Sequence, residues 1–380
     1  MRHDICLGMA ASLSGRYCVQ GTQALAGVRV WVEEVNRKGG LWVEAEAARF
    51  PVRFVHYDDE SDPVRCQELT ERLIVEDGVD ILQGPYSSGL ALRAASVAAK
   101  HRRVLWNQGG ASDRVYQLGK RWVVGVLTPA SAYFHSVIEY ARSQHPAVRR
   151  VAILHSTAGA FPRDVASGAA RYLGHVGLPL VTTQRYQAGT EDFGAILRGL
   201  RRALPDLVLA VGRIEDDIRF AQQYVGGGIH LGIVALIAAG IERFGQTLGS
   251  GSEGFLAPSQ WERGVVVDPD YGPGEDEVMQ ALAVTDDSVV DYPMVQGYAG
   301  CLIAQKCIEE AGTLDNGKLR EVAMSLDFTT FYGRFRVESP TGRQTGHTMP
   351  VVQWRSGKKT VVWPQSELST SLHARGPNPL

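Results

Sequence analysis

The chain has 380 residues, a formal net charge of −2 and 21% charged residues. That balance leaves no basic field for nucleic acid or an acidic membrane surface, and no run of about 18 apolar residues offers a membrane span. Hydrophobic residues at 44% and a length beyond one usual core imply two globular lobes rather than one.

In chain order, Ile5 to Gly8 reads as a strand, Gln20 to Arg37 as a helix closed by Lys38-Gly39-Gly40, and Val52 to Tyr57 as a second strand. Val64 to Glu76 is amphipathic, with Leu69, Leu73 and Ile74 on one face, Asp62 as its cap and Pro63 at the first helical position. Strands at Ile81-Leu82 and Val104 to Trp106 flank a further helix. The first ends in Gly84-Pro85-Tyr86-Ser87-Ser88 and the second in Asn107-Gln108-Gly109-Gly110-Ala111-Ser112. Small polar residues where helices begin place hydroxyls and backbone N–H groups at one sheet edge, which is a geometry for a small anion. Trp106 reads as core; Tyr86, in the turn, lines that edge or packs beneath it.

The alternation repeats past residue 125: strand Val151 to Leu154, helix Asp164 to Val176, strand Leu180 to Tyr186, helix Phe193 to Leu204, strand Leu207 to Val211, helix Ile218 to Val225. Leu231 to Ile237 and Gly254 to Ala257 read as further strands. Such alternation predicts α/β architecture, with parallel sheets covered on both faces, in two doubly wound Rossmann-like lobes.

Met1-Arg2-His3-Asp4 leads straight into the first strand, so no signal peptide is read; either the protein is cytoplasmic or the sequence starts at the mature form. Residues 365–380, poor in apolar patterning, read as a disordered tail. Cys6, Cys18, Cys66, Cys301 and Cys307 form no CxxC pair and read mostly as small buried hydrophobes, without a metal site. No phosphate loop, dinucleotide fingerprint, nucleophile elbow or zinc-protease motif is present, so no cofactor, catalytic residue or enzyme activity is predicted. Asp268-Pro269-Asp270-Tyr271-Gly272 begins like a calcium loop but meets Met279 where the closing glutamate belongs, and reads as a turn-rich loop. His155, at a strand end without an evident acid or nucleophile partner, reads as a structural or lining residue.

These segments together resemble the type I periplasmic substrate-binding proteins of ABC importers, typified by leucine/isoleucine/valine-binding proteins. The resemblance is carried by Ser12-Leu13-Ser14-Gly15, Val35-Asn36-Arg37-Lys38-Gly39-Gly40, Tyr57-Asp58-Asp59-Glu60-Ser61-Asp62-Pro63, the Gly84 to Ser88 and Gly109 to Ser112 turns, Phe331-Tyr332-Gly333-Arg334-Phe335 and Val352-Gln353-Trp354, and spans residues 4–364. It implies two lobes joined by a three-strand hinge, closing on a small-molecule ligand: 1–125 with 256–330, and 126–255 with 331–364. The hinge would run near Gly125-Val126, Gly254-Phe255 and Phe331-Tyr332.

The resemblance further implies that Ser88, with Ser87 beside it, holds a ligand carboxylate, and that Gly109, Gly110, Ala111 and Ser112 add backbone groups and a hydroxyl. In the second lobe the family's aromatic maps to Phe161 and its next cleft tyrosine to Arg213. Its ammonium-binding acid falls in Ala235-Leu236-Ile237-Ala238, where no carboxylate stands. Arg213 then either forks onto a ligand carboxylate or amide, or pairs with Glu215 or Asp216. The family's first-lobe cystine is excluded, since Ser61 occupies the cysteine position and Ser87 lies near its partner's.

The leading expectation is a monomeric solute-binding protein, periplasmic or extracellular, that serves an ABC transporter permease and binds an amino acid, carboxylic acid or amide. The alternatives are a cytoplasmic or membrane-tethered sensor of amide- or urea-type ligands on the same fold and, third, an enzyme on a doubly wound scaffold.

Overall fold

The computed structural model describes residues 2–117, 121–266, 268–285 and 290–364; the expected tail at 365–380 lies outside the described residues. The chain divides into two compact units, Met1–Pro129 with Arg263–Thr348, and Ala130–Glu262 with Met349–Leu380.

The first unit is built on a parallel sheet whose order is Val52–Asp58, Ile5–Ala11, Ile81–Gln83, Leu105–Asn107, Val123–Gly125. In chain order the strands therefore run second, first, third, fourth, fifth. All seven residues of Ile5–Ala11 are buried, as a strand covered on both faces requires. The helices Cys18–Arg37, Pro63–Val75 and Ser88–His101 follow the pattern read from sequence. Asp62 caps the second of them, its carboxylate accepting the N–H groups of Val64 and Arg65 at 2.8 Å each.

Residues from the far end of the chain complete this unit. The helix Tyr292–Ala311 lies against Cys18–Arg37 with backbones touching: a Cβ on Gly27 would sit 1.9 Å from the Met294 carbonyl oxygen, and one on Gly297 would sit 2.2 Å from that of Ala24. Trp31 Nε1 donates to Gln305 Oε1 at 3.1 Å across the same contact. Three short antiparallel strands, Asp327–Thr330, Gly333–Glu338 and Arg343–Gln344, finish the unit, and Gly125 N–H donates to the Gly342 carbonyl at 2.8 Å.

The second unit repeats the topology. Its sheet runs Leu180–Tyr186, Val151–Ser156, Leu207–Val211, Ile233–Leu236, Leu256–Pro258, all parallel, and then adds Val351–Arg355 and Lys358–Trp363 antiparallel. Tyr186, Phe193, Phe220, Tyr224, Phe255, Phe244 and Trp354 form a continuous run of ring contacts through its core.

The lobe limits differ from the expected ones. Residues 256–262 belong to the second unit, because Leu256–Pro258 pairs on both sides within that sheet. Residues 331–348 belong to the first, because Gly333–Glu338 pairs with Asp327–Thr330 and Arg343–Gln344. Among the described residues the Asp268–Gly272 stretch carries neither helix nor strand, and four of the five free cysteines are buried, Cys18 being half-buried.

The glycine contact sets a clear expectation. Gly297→Ala gains about 1 kcal/mol of helix propensity but drives a methyl into a carbonyl, an overpacking that costs about 1–3 kcal/mol. Denaturant unfolding should therefore show a net loss of stability; a gain would show that the two helices separate easily.

Candidate functional site

In the first unit the first and third strands are neighbours, so the helices that follow them leave on opposite faces and open a crevice at the carboxyl ends. The loop Ser12–Gly15 follows one strand and the Gly84–Ser88 turn the other. Asp58 fastens the loop, one carboxylate oxygen accepting the N–H groups of Leu13 (2.9 Å), Ser14 (3.2 Å) and Glu60 (2.8 Å). Burial works against ionisation of Asp58, but these donors hold its carboxyl below the ordinary value. Ser61, standing at the family's cysteine position, donates from Oγ to the Ser14 carbonyl (2.8 Å) and accepts the Tyr17 N–H (3.1 Å). Hydrogen bonds thus tie the loop where the resemblance would have placed a cystine.

The two serine-bearing turns interlock. Ser87 sits at φ +92°, a conformation that side-chain-bearing residues rarely adopt, and caps the Ser88–His101 helix. Its N–H donates to the Gly109 carbonyl at 3.1 Å. The Ser112 N–H donates to Ser88 Oγ at 3.0 Å, so that hydroxyl keeps its own proton for another acceptor. Gly109 is required by this approach, since a Cβ there would lie 2.6 Å from the Pro85 carbonyl oxygen. At Gly110 a Cβ would lie 2.2 Å from that of Ala91.

Asn107 braces the second turn from inside. Its Oδ1 accepts the Gly110 N–H at 3.0 Å, and its Nδ2 donates to the Gly110 carbonyl at 2.8 Å and to Tyr116 at 2.9 Å. Ala111 is buried, and Ser112 Oγ accepts the Arg114 N–H at 3.3 Å. Sequence reasoning offered this turn's N–H groups to an anion; those of Gly110 and Ser112 are instead committed within the protein. The Ser88 hydroxyl, half-buried at the helix start, accepts the Ser112 N–H and retains its own proton. Tyr86 is half-buried beside it, its hydroxyl hydrogen-bonded to that of Tyr292, and burial pushes its phenol up to about 12. Trp106 is core, as expected.

The second unit has its own crevice, between the neighbouring strands Val151–Ser156 and Leu207–Val211. Phe161 opens the helix after the first of them, half-buried and edge-on to Tyr133 at 5.1 Å. Arg213 stands after the second as the cap residue of the Ile214–Gly226 helix and is exposed. Its two candidate partners are taken: Glu215 pairs with Arg243 at 3.0 Å, and Asp216 pairs with Arg219 at 3.7 Å and accepts the Gly189 N–H at 2.9 Å. Among the described residues Arg213 makes no ion pair. Ile237, expected to close a strand, begins a 3-10 turn and is half-buried.

Asp217 was missed by the sequence reading. It is buried, and its carboxylate accepts the N–H of Ala238 at 3.2 Å, beside the stretch in which no acid stands in sequence. A search along Ala235 to Ala238 passes over it because it comes from the neighbouring strand's helix; its place in the acidic first turn was the available signal. Asp217, carried by the helix after Leu207–Val211, thereby ties that helix to the end of Ile233–Leu236. His155 is buried too, with Nδ1 2.9 Å from the Ser156 carbonyl oxygen, a contact that places the ring proton on Nδ1.

Residues 4–359 match the model of the periplasmic binding proteins. The chain belongs to that family. Among curated relatives, the Leu/Ile/Val-binding protein homolog 7 of Brucella melitensis is 22% identical, over 96% of this chain and 92% of its own length. Two solved structures share the fold. The branched-chain amino acid transporter substrate-binding protein LivJ of Streptococcus pneumoniae, in complex with isoleucine, has a TM-score of 0.77 at 18% identity, covering 94% of this chain and 99% of that one. A solute-binding protein of R. palustris in complex with benzoate has a TM-score of 0.72 at 17% identity, covering 98% and 97%. The type I fold of periplasmic binding proteins is thus the fold of this chain, with both units in the same strand order.

Asp217 supplies a test of this second edge. Burial raises its carboxyl well above the ordinary value; the Ala238 N–H opposes that shift, and the neighbouring Asp216 reinforces it. An acid whose folded pKa lies above its unfolded one contributes full stability below the unfolded value, and loses it as pH rises towards the folded value. From about pH 4 upward, the melting temperature of the native protein should therefore fall relative to that of Asp217→Asn. Parallel curves would show that Asp217 ionises as in the unfolded chain.

Proposed function

We propose that this periplasmic binding protein is the solute-binding component of an ABC importer, working outside the cytoplasm with a transporter permease and taking a small carboxylate. The observation that carries the reading is the Ser88 hydroxyl, oriented by the Ser112 N–H at 3.0 Å and left with a proton to donate at a helix start. Helix N-termini and oriented donors hold an anion without a full countercharge. Arg213, exposed and without an ion pair among the described residues, supports the same chemistry in the second unit. The isoleucine and benzoate bound by the two structural relatives are both carboxylates. Tyr86, Ser87, Gly109 to Ser112, Phe161 and Ile237 complete the proposed set of ligand-shaping residues.

On this reading Ser88→Ala removes a hydrogen bond to a charged group, which weakens carboxylate binding by about 1.5–3 kcal/mol. Calorimetry is the measurement, and unchanged affinity removes Ser88 from the site.

The second unit favours a ligand without an ammonium group. No acid stands in Ala235–Ala238, and Asp217, which bonds the Ala238 N–H, is buried and already engaged, so a buried ammonium there would lack a countercharge. Pairwise competition should favour a carboxylic acid over the matching α-amino acid, and Arg213→Ala should erase much of that preference. Tighter binding of the amino acid would overturn the assignment and point to a carboxylate that reaches the ammonium.

A further inference from the structure

Three tyrosines from distant parts of the chain meet at the carboxyl edge of the first unit's sheet. Tyr17 follows the first strand, Tyr86 follows the third, and Tyr292 opens the helix that returns from the far end of the chain. The rings of Tyr17 and Tyr86 lie 6.1 Å apart at 62°, and those of Tyr86 and Tyr292 lie 6.5 Å apart at 50°. Both spacings fall in the range of edge and tilted aromatic pairs. The guanidinium of Arg16 covers Tyr17 at 4.6 Å from the ring centre, and the hydroxyls of Tyr86 and Tyr292 are joined to each other. The Asp291 carboxylate accepts the Tyr292 N–H at 2.7 Å, and Pro293 follows, so the backbone that carries Tyr292 is set as well.

We propose that Tyr17, Tyr86 and Tyr292 form an aromatic wall beside the Ser87-Ser88 turn, and that the carboxylate taken by this chain carries a planar ring. The inference rests on the carboxylate reading above and names its substrate class. Its physical basis is the grouping of three rings: Tyr86 stands at 6.1 Å from Tyr17 and 6.5 Å from Tyr292, one phenol hydroxyl of the Tyr86–Tyr292 pair donates to the other, and the rings bring edges and faces of fixed quadrupole to this end of the sheet. A flat ring gains edge or offset stacking against such a surface in addition to the burial that any apolar group gains. A branched aliphatic chain gains burial alone. Rigid rings held at both ends also leave little side-chain freedom to lose on binding.

The test uses the whole protein and two probes, benzoate and isovalerate, which share the carboxylate and differ in the ring. In calorimetry the native protein should bind benzoate about tenfold more tightly than isovalerate. Tyr292→Ala should bring the two affinities together, mainly by weakening benzoate, while Tyr292→Phe should keep the ring preference because it keeps the ring. Isovalerate binding as tightly as benzoate, or a ratio that Tyr292→Ala leaves unchanged, overturns the aromatic assignment and leaves the carboxylate reading standing. Binding of neither acid to a folded native protein overturns both. Thermal unfolding of each variant, run alongside, separates lost affinity from lost structure.

Discussion

The first unit depends on a contact with almost no side chain in it. Gly27 and Gly297 let two twenty-residue helices, Cys18–Arg37 and Tyr292–Ala311, approach until backbone meets backbone. At that separation Trp31 reaches Gln305, and Tyr298 donates a hydrogen bond to Glu34. Chain that has already built the second unit is thereby returned to the first. Tyr292 stands at the start of the returning helix, so its meeting with Tyr86 follows from the same close approach.

The candidate carboxylate edge rests on a similar economy of atoms. Ser87 holds an unfavourable φ because its N–H bonds Gly109, its side chain caps a helix and its neighbour Ser88 receives the Ser112 N–H. Several contacts over-determine one strained residue, which is how such a conformation persists. Asn107 satisfies Gly110 of the second turn from within, its amide accepting that N–H and donating to that carbonyl.

The second unit repeats the strand order of the first and carries different chemistry. Of its acids at 215–217, Glu215 pairs with Arg243, Asp216 with Arg219, and Asp217 accepts the Ala238 N–H, and among the described residues Arg213 makes no ion pair.

Much of this was legible in the sequence. Period and capping residues located the main helices and strands, because helix N-caps such as Asp62 and fully apolar strands such as Ile5–Ala11 are local signals. The two strand ends with small polar residues, Gly84 to Ser88 and Asn107 to Ser112, were visible in the sequence; the hydrogen bond between Ser112 and Ser88 was not. Several features were decided only by tertiary structure. Strand pairing assigned Leu256–Pro258 and Gly333–Glu338 to their units, and pairing partners are remote in sequence. Asp217 reaches Ala238 across neighbouring strands, Tyr292 reaches Tyr86 across 206 positions, and the amides of Gly110 and Ser112 found partners inside the protein. A sequence determines periodicity and local caps; which polar groups remain for a ligand is decided by contacts between distant segments, since each donor or acceptor satisfied in folding is withdrawn from the surface.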